Sequence, residues 1–512
     1  MKDNKTKNSA RNVFFGFALK IFDLLIPFVI RTIIIYFLGI EYAGLNSLFV
    51  SIFQVLNIAE LGVGFAMTVS MYKPIVENDN LTLCALIRLY RNYYRIIGLV
   101  ILLFGLLLTP TLPYLIKGDI PGDINLYVLY FVNLGTTVFS YWLFAYRNSL
   151  LSAHQRQDII SKITLSMNFA KYGIQIALLS ITKNYYFYII TNLLFQILIN
   201  VVTAIISKKM YPEVVPKGEL ALEEKKCINR QIKDLFFSQI GMVVTLSVDS
   251  IVISIFLGLV PLGIYQNYYY ILSAIIAFFT IFHQSVRASV GTNFLTKPNE
   301  ENYIDFKFIS FIVFLALSFS ITCLICLYQP FMRIWVGEDL LLDDWCVLLF
   351  GIYLLVYELA RLITCYKDYA GLWHKDRFRP LVTAIVNLTL NIILVNFIGI
   401  YGILISTIVA FVIINIPWGF RRVFLDVFDK KYEKDYFLYV VKNILLILVS
   451  AITGFVICLF LHFVNIYLDF IIKMVLAISI GVIPYLLFNV RNNNVKKTII
   501  IAKSLIHKKK QI

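Results

Sequence analysis

The chain has 512 residues, of which 60% are hydrophobic and 15% charged, against roughly 25% charged in a soluble domain. Its 42 Phe and 32 Tyr add to more apolar surface than a water-soluble fold of this size covers. That excludes a disordered chain and an ordinary globular enzyme. A formal net charge of +16 would suggest nucleic acid in a soluble protein; where the charge sits argues otherwise.

The amino terminus, MKDNKTKNSARN, is polar and basic, and the apolar run behind it lacks a small-residue cleavage pattern, so it is expected to be a retained first span. Fourteen apolar stretches follow one another, at about 13–36, 44–70, 93–115, 124–147, 162–182, 185–206, 234–257, 261–286, 306–328, 345–366, 379–398, 400–420, 438–464 and 467–488. With the amino terminus placed in the cytoplasm, 38 of the 46 Lys and Arg fall in cytoplasmic segments. Only Lys117, Lys183 and Arg333 fall outside, and Lys20, Arg31, Lys171, Arg361 and Lys473 lie within spans. This bias predicts both termini inside and accounts for the net charge without nucleic acid. The tail VKKTIIIAKSLIHKKKQI alternates apolar clusters with lysines, which suits either the anionic inner leaflet or a solvated tail.

The polar interval 207–233 separates six spans from eight. The expected organisation is an N-terminal lobe at 1–206, a cytoplasmic linker at 207–233, a second lobe at 234–437, two further helices at 438–488 and a basic tail at 489–512. A repeat crosses the linker. Phe37-Leu38-Gly39, four residues, then Gly44 recurs as Phe256-Leu257-Gly258, four residues, then Gly263, at an offset of 219. Each copy sits at the first outer turn of its half, which implies parallel repeats about an axis normal to the membrane.

Charges within spans cost roughly 2.5–3.5 kcal/mol each at the bilayer centre, so they mark cavities or partners. On the first span, taking Lys20 as the origin, Asp23, Pro27 and Arg31 fall at about −60°, −20° and +20°. This shared face reads as the wall of a wet cavity, or as a local Lys20–Asp23 pair with Arg31 snorkelling outward. The second span gathers Asn46, Gln54, Asn57, Glu60 and Gly64 within about 120°. Asp249 lies nine residues before Gly258 and Arg31 eight before Gly39, so the repeats bring opposite charges to similar depth. Lys171 and the i, i+3 pair Glu358 and Arg361 are further candidates, the latter two also as mutual partners. Asp469 and Lys473 read as a local pair. Arg147 and Arg287 are expected to snorkel at the inner surface.

The seven cysteines are scattered, and Cys323-x-x-Cys326 has no second pair or nearby His, so it reads as packing. No P-loop, HExxH, GxSxG or GxGxxG occurs and no outer loop is large enough for a catalytic domain, so the chain is not expected to be an enzyme or to need a cofactor.

Several segments together carry a resemblance: RTIIIYFLGIEYAGLNSLFVSIFQVLNIAELGVGFAMTVSMYKPI from Arg31, the stretch Tyr146–Gln155, VDSIVISIFLGLVPLGIYQNYYYI around Asp249, PFMRIWVGE after Pro330 and YKDYAGLWHKDRFRPLVTAIVNL from Tyr366. The chain resembles the Wzx-type flippases for O-antigen and capsule polysaccharide repeat units, part of the exporter superfamily that includes multidrug exporters of the MATE type and the lipid II flippase. The resemblance implies an all-α integral membrane protein of about fourteen transmembrane helices. Two six-helix lobes would flank a central cavity about a pseudo-two-fold axis, with two C-terminal helices outside them. It implies an undecaprenyl-diphosphate-linked oligosaccharide as substrate, moved across a bacterial cytoplasmic membrane by alternating access. Arg31, Lys20, Lys171 and Arg361 are the expected substrate-binding residues, and Asp23, Glu60, Asp249 and Glu358 the expected coupling or gating residues, with Na+ or H+ as the coupling ion. The expected protein is a monomer that meets membrane lipids and works beside a polysaccharide polymerase or glycosyltransferases. The rival reading is a cation-coupled multidrug antiporter of the same fold, for which an acidic or aromatic cavity would expose Asp23, Glu60 or Asp249.

Overall fold

A computed structural model describes residues 2–369, 376–461 and 463–490, with side chains given for all of these except 2–10, 13, 14, 237, 238, 288 and 295. The basic tail beyond 490, and His374 and Lys375, lie outside the described residues. Among those described the chain is helical, with no strand. It divides into two compact units, residues 1–266 and 267–512.

The first unit holds α1 (Lys2–Phe37), α2 (Ile40–Leu56), α3 (Val63–Glu77), α4 (Asn80–Leu108), α5 (Leu126–Trp142), α6 (Tyr146–Ala153), α7 (Gln157–Thr182), α8 (Tyr185–Met210) and α9 (Leu222–Phe256), and the start of α10 (Leu259–Thr296). Several span starts are set by an Asx cap. Asp79 accepts from the amide of Thr82 at 3.0 Å, Asn125 from those of Tyr127 and Val128, and Asn184 from that of Tyr186. α1 packs along α7, α2 against α9, and α8 against both α5 and α7. The second span is not one helix: a 3-10 turn at Asn57–Glu60 and a left-handed Gly62 (φ 86°) divide α2 from α3.

The second unit holds the rest of α10, α11 (Asn299–Val336), α12 (Asp344–Tyr369), α13 (Arg379–Ile398), α14 (Ile400–Ala410), a π turn at Phe411–Asn415, α15 (Ile416–Asp426), α16 (Glu433–Phe460) and α17 (Ile466–Phe488). α11 is its central post, packed by α12, α16 and α17. Gly481 lets α17 approach the backbone of α11, where a Cβ would stand 3.0 Å from the Phe319 Cα, and Ser318 Oγ donates to the Gly481 carbonyl at 2.7 Å. α13 and α14 are joined by amide and hydroxyl contacts inside the apolar layer: Asn387 Nδ2 donates to Thr407 Oγ1 at 2.9 Å. Such interhelical hydrogen bonds hold spans together where lipid supplies no hydrophobic drive.

All fourteen apolar stretches are built on helix. Among the described residues, eleven helical segments are long and apolar enough to cross a membrane, twelve if the bent pair α5–α6 is one span, which makes the chain a multi-pass membrane protein. α1 and α7 fall outside that set. α1 carries Lys20, Asp23 and Arg31 in its apolar stretch, and α7 carries Asn168, Lys171 and Gln175. These two polar spans are the ones that pack along each other.

Candidate functional site

Along α1 the exposed residues Phe17, Ile21, Leu25 and Val29 recur every four positions. They form an apolar stripe suited to lipid. Lys20 and Asp23 are also exposed, but they lie about 120–180° around the helix from the middle of that stripe. Charges exposed on the side away from an apolar stripe suit a hydrated surface and not lipid. α7 completes the site. The Asp23 carboxylate faces Lys20, Lys171 and the Asn168 amide, and Phe22 packs on Phe169 and Tyr172 with centroids 6.4 and 5.9 Å apart. The Lys171 ammonium stands 4.3 Å above the Tyr172 ring, a cation–π contact that fixes its stem. Two lysines, Lys20 exposed and Lys171 half-buried, share one carboxylate, which leaves a formal net positive charge.

Arg31 lies two turns further along α1 and is differently employed. It is buried, and its guanidinium donates to the Ala43 carbonyl at 3.4 Å, Ser47 Oγ at 3.1 Å and the Gly263 carbonyl at 2.7 Å. The last bond lands on the repeat. A Cβ on Gly44 would stand 2.1 Å from the Leu259 carbonyl oxygen, and a Cβ on Gly263 would stand 2.7 Å from that of Ile40. Ile40 and Leu259 are themselves 219 residues apart. The two copies of the motif therefore meet reciprocally inside the first unit, a local two-fold contact in which each copy presents its glycine to the other's backbone. Asp249 is buried on α9 in the same unit. Its neighbour Ser250 accepts a hydrogen bond from Gln266 Nε2 at 2.7 Å.

Glu60 sits at the break in the second span. Its carboxylate takes the amide of Gly64 in the first turn of α3 and the Tyr94 hydroxyl at 3.3 Å. Tyr90 donates to Tyr94 at 2.7 Å, and Ser149 donates to Tyr90 at 2.9 Å. The carboxylate thus caps a helix start within the span, where the dipole favours a negative charge. The polar residues expected on one arc of the second span have separate partners. Asn46 receives Tyr185, Gln54 receives Ser247 and Asn57 receives Tyr141. The break at Asn57 ends the 100° periodicity on which the single arc rested.

In the second unit, Glu358 and Arg361 do pair, at 3.1 Å. Glu358 is fully buried and His283, on α10, brings Nε2 to 3.5 Å from its second oxygen. Asp469 and Lys473 also pair, at 2.9 Å. Arg147 does not snorkel: it is buried and donates to the Val214 carbonyl at 3.0 Å, clasping the linker. Sequence reasoning missed Asn168, His283 and the tyrosines around Glu60. They carry no charge signal, and their partners are remote along the chain.

No protein-family model matches the sequence, and no curated protein is similar to it. Solved structures share its fold. The chain is similar to the lipid II flippase MurJ in an inward closed conformation, with 16% identity, 93% of this chain and 99% of that chain covered, and a TM-score of 0.67. It is also similar to an inward-facing multidrug resistance MATE family transporter of the MOP superfamily, with 15% identity, 78% and 94% covered, and a TM-score of 0.61. An outward-facing MATE family transporter matches at 14% identity, with 81% and 95% covered and a TM-score of 0.53. At this identity the likeness is one of fold: the chain shares its architecture with this flippase and these MATE family transporters.

Proposed function

We propose that the protein is a flippase for lipid-linked oligosaccharides, moving undecaprenyl-diphosphate-linked repeat units across the bacterial cytoplasmic membrane by alternating access. The observation that carries this reading is the net-cationic group on α1 and α7, where exposed Lys20 and half-buried Lys171 flank Asp23. A diphosphate needs cations that are not consumed by the protein, and a glycan needs a wet path because each hydroxyl is costly to strip of water. Lys20 and Lys171 are the primary headgroup ligands in this reading. Arg31 and Arg361, each held within its own unit by Gly263 and Glu358, would contribute to substrate binding only as those bonds exchange for phosphate. Asp23 orients the two lysines, and Glu60, Asp249 and Glu358 are the carboxylates at which Na+ or H+ would couple the cycle.

The test is transport by full-length protein in proteoliposomes loaded with an undecaprenyl-diphosphate-linked oligosaccharide, read by lectin access from the opposite leaflet. Lys20→Gln with Lys171→Gln is expected to cut the rate about tenfold or more, since each lost charge-assisted contact is worth roughly 1.5–3 kcal/mol. An unchanged rate sinks the headgroup assignment. The second reading, a cation-coupled drug antiporter, is favoured by the exposure of Asp23. It predicts that Asp23→Asn abolishes efflux of a cationic dye while the double lysine variant leaves it intact.

A further inference from the structure

Where the α1–α7 seam begins, a second ionic group lies apart from the site above. Asp158, in the first turn of α7, is fully buried, yet it meets three cations: Arg11 of α1 at 3.3 Å, Arg156 at 3.0 Å and Lys162 at 3.6 Å. Their side chains remain 40%, 22% and 36% exposed, so their outer faces are open. Asn12 locks the frame, accepting from the Asp158 amide at 2.7 Å and donating to the Gln155 carbonyl at 2.9 Å. The Lys162 ammonium lies 4.3 Å from the Phe15 ring.

One carboxylate cannot use the donors of three cations. A guanidinium has five N–H groups and an ammonium three, and the carboxylate is itself sealed from solvent. The group carries a surplus of two positive charges on side chains that are part-exposed and already anchored at Asp158. That is the preorganisation a phosphate site needs, because an anion arriving there spends little on ordering side chains. The depth identifies the source. Lys162 opens its apolar stretch and Arg11 lies two residues before its own, which suits headgroup level, where a lipid phosphate sits with its chains in the hydrocarbon.

We propose that Arg11, Arg156 and Lys162, held in place by buried Asp158, form a docking site for the phosphate of a membrane lipid at the start of the α1–α7 seam. Lys20 lies nine residues beyond Arg11, and Lys171 nine beyond Lys162, about 14 Å further along each helix. A polyprenyl diphosphate held at the cluster is thus one step from the lysine pair. This entry role rests on the flippase reading; the docking of a lipid phosphate does not.

The experiment uses full-length protein in phosphatidylcholine nanodiscs, scored by native mass spectrometry for lipid retained after detergent release. Phosphatidylglycerol, undecaprenyl diphosphate and inorganic phosphate are offered in separate arms. Wild type is expected to retain an anionic lipid over phosphatidylcholine, and Lys162→Gln with Arg11→Gln to lose that preference about tenfold, or about 1.4 kcal/mol. Melting in phosphatidylcholine alone checks the fold. Should the double variant unfold, Lys162→Gln alone, which leaves two cations on Asp158, is expected to lose at least threefold. Wild-type preference preserved in the folded variant overturns the site, as does a wild type with no preference for either anionic lipid. Retention of phosphatidylglycerol without undecaprenyl diphosphate keeps the docking site and removes the entry step. Both lipids retained, with the lysine-pair variant still transporting, keeps the docking site and sinks the headgroup assignment at Lys20 and Lys171. Inorganic phosphate displacing both lipids at equal concentration overturns the lipid source.

Discussion

Asp158 is the residue whose environment is most sharply set. Burial pushes its carboxyl up, but the Arg156 hydrogen bond and the charges of Arg156, Arg11 and Lys162 outweigh it and hold the group below the ordinary 3.8. A carboxyl depressed in the folded state contributes stability that is complete above the unfolded value and is lost as pH falls through the folded one. Asp158→Asn should therefore lower the melting temperature at neutral pH, and the gap to wild type should close as pH drops below about 3.8. A gap independent of pH would assign Asp158 a purely steric part. In the second unit, Glu358→Ala should destabilise by about 3–5 kcal/mol, because it leaves Arg361 with a lost partner inside the protein. Arg361 is 22% exposed at its side chain, which pulls the value toward the lower end. Glu358→Leu with Arg361→Leu should recover much of the loss in urea or thermal unfolding. The first-span charges were legible because a helix wheel places Lys20, Asp23 and Arg31 on one side. That Arg31 spends its donors on Ala43, Ser47 and Gly263 was not, since Gly263 is 232 residues away.

Elements meet here through glycine and polar contacts as well as through large buried aromatic side chains. At the α2–α10 crossing the obstacle to a side chain is backbone oxygen, which cannot rotate away. Gly44→Ala and Gly263→Ala should each cost about 1–3 kcal/mol or force the helix starts apart. Gly39→Ala meets open space but a φ of 110°, and should be milder at about 1 kcal/mol. Thermal unfolding of the three variants orders them, and equal, negligible losses would remove the crossing as a packing constraint. The repeat itself could be read from FLG and its spaced glycine. The reciprocal contact could not, because a sequence match gives correspondence and not proximity. The second span shows the opposite limit. Its polar residues looked like one stripe, yet Gly62 and the 3-10 turn rotate everything after Asn57 onto new partners.

At the scale of the molecule, hydropathy and the Lys and Arg distribution predict the number and direction of spans. Reporter fusions near Lys217 and after Lys497 should score cytoplasmic, and those near Lys117 and Asp339 external. A cytoplasmic score at Asp339 would break the fourteen-span topology. The all-helical, multi-pass architecture was written in the sequence because a bilayer leaves the backbone no other way to satisfy its hydrogen bonds, and apolar length alone then marks the spans. What only the tertiary structure decided is which polar residues meet. α1 and α7 are joined at Asp158 and again at Asp23 across some 145 residues of chain. Glu60 turned inward as a helix cap, and Glu358 found His283. Periodicity fixes the face of a helix on which a charge lies. The partner depends on helix packing, which small side chains and desolvation costs determine jointly over residues far apart in the chain.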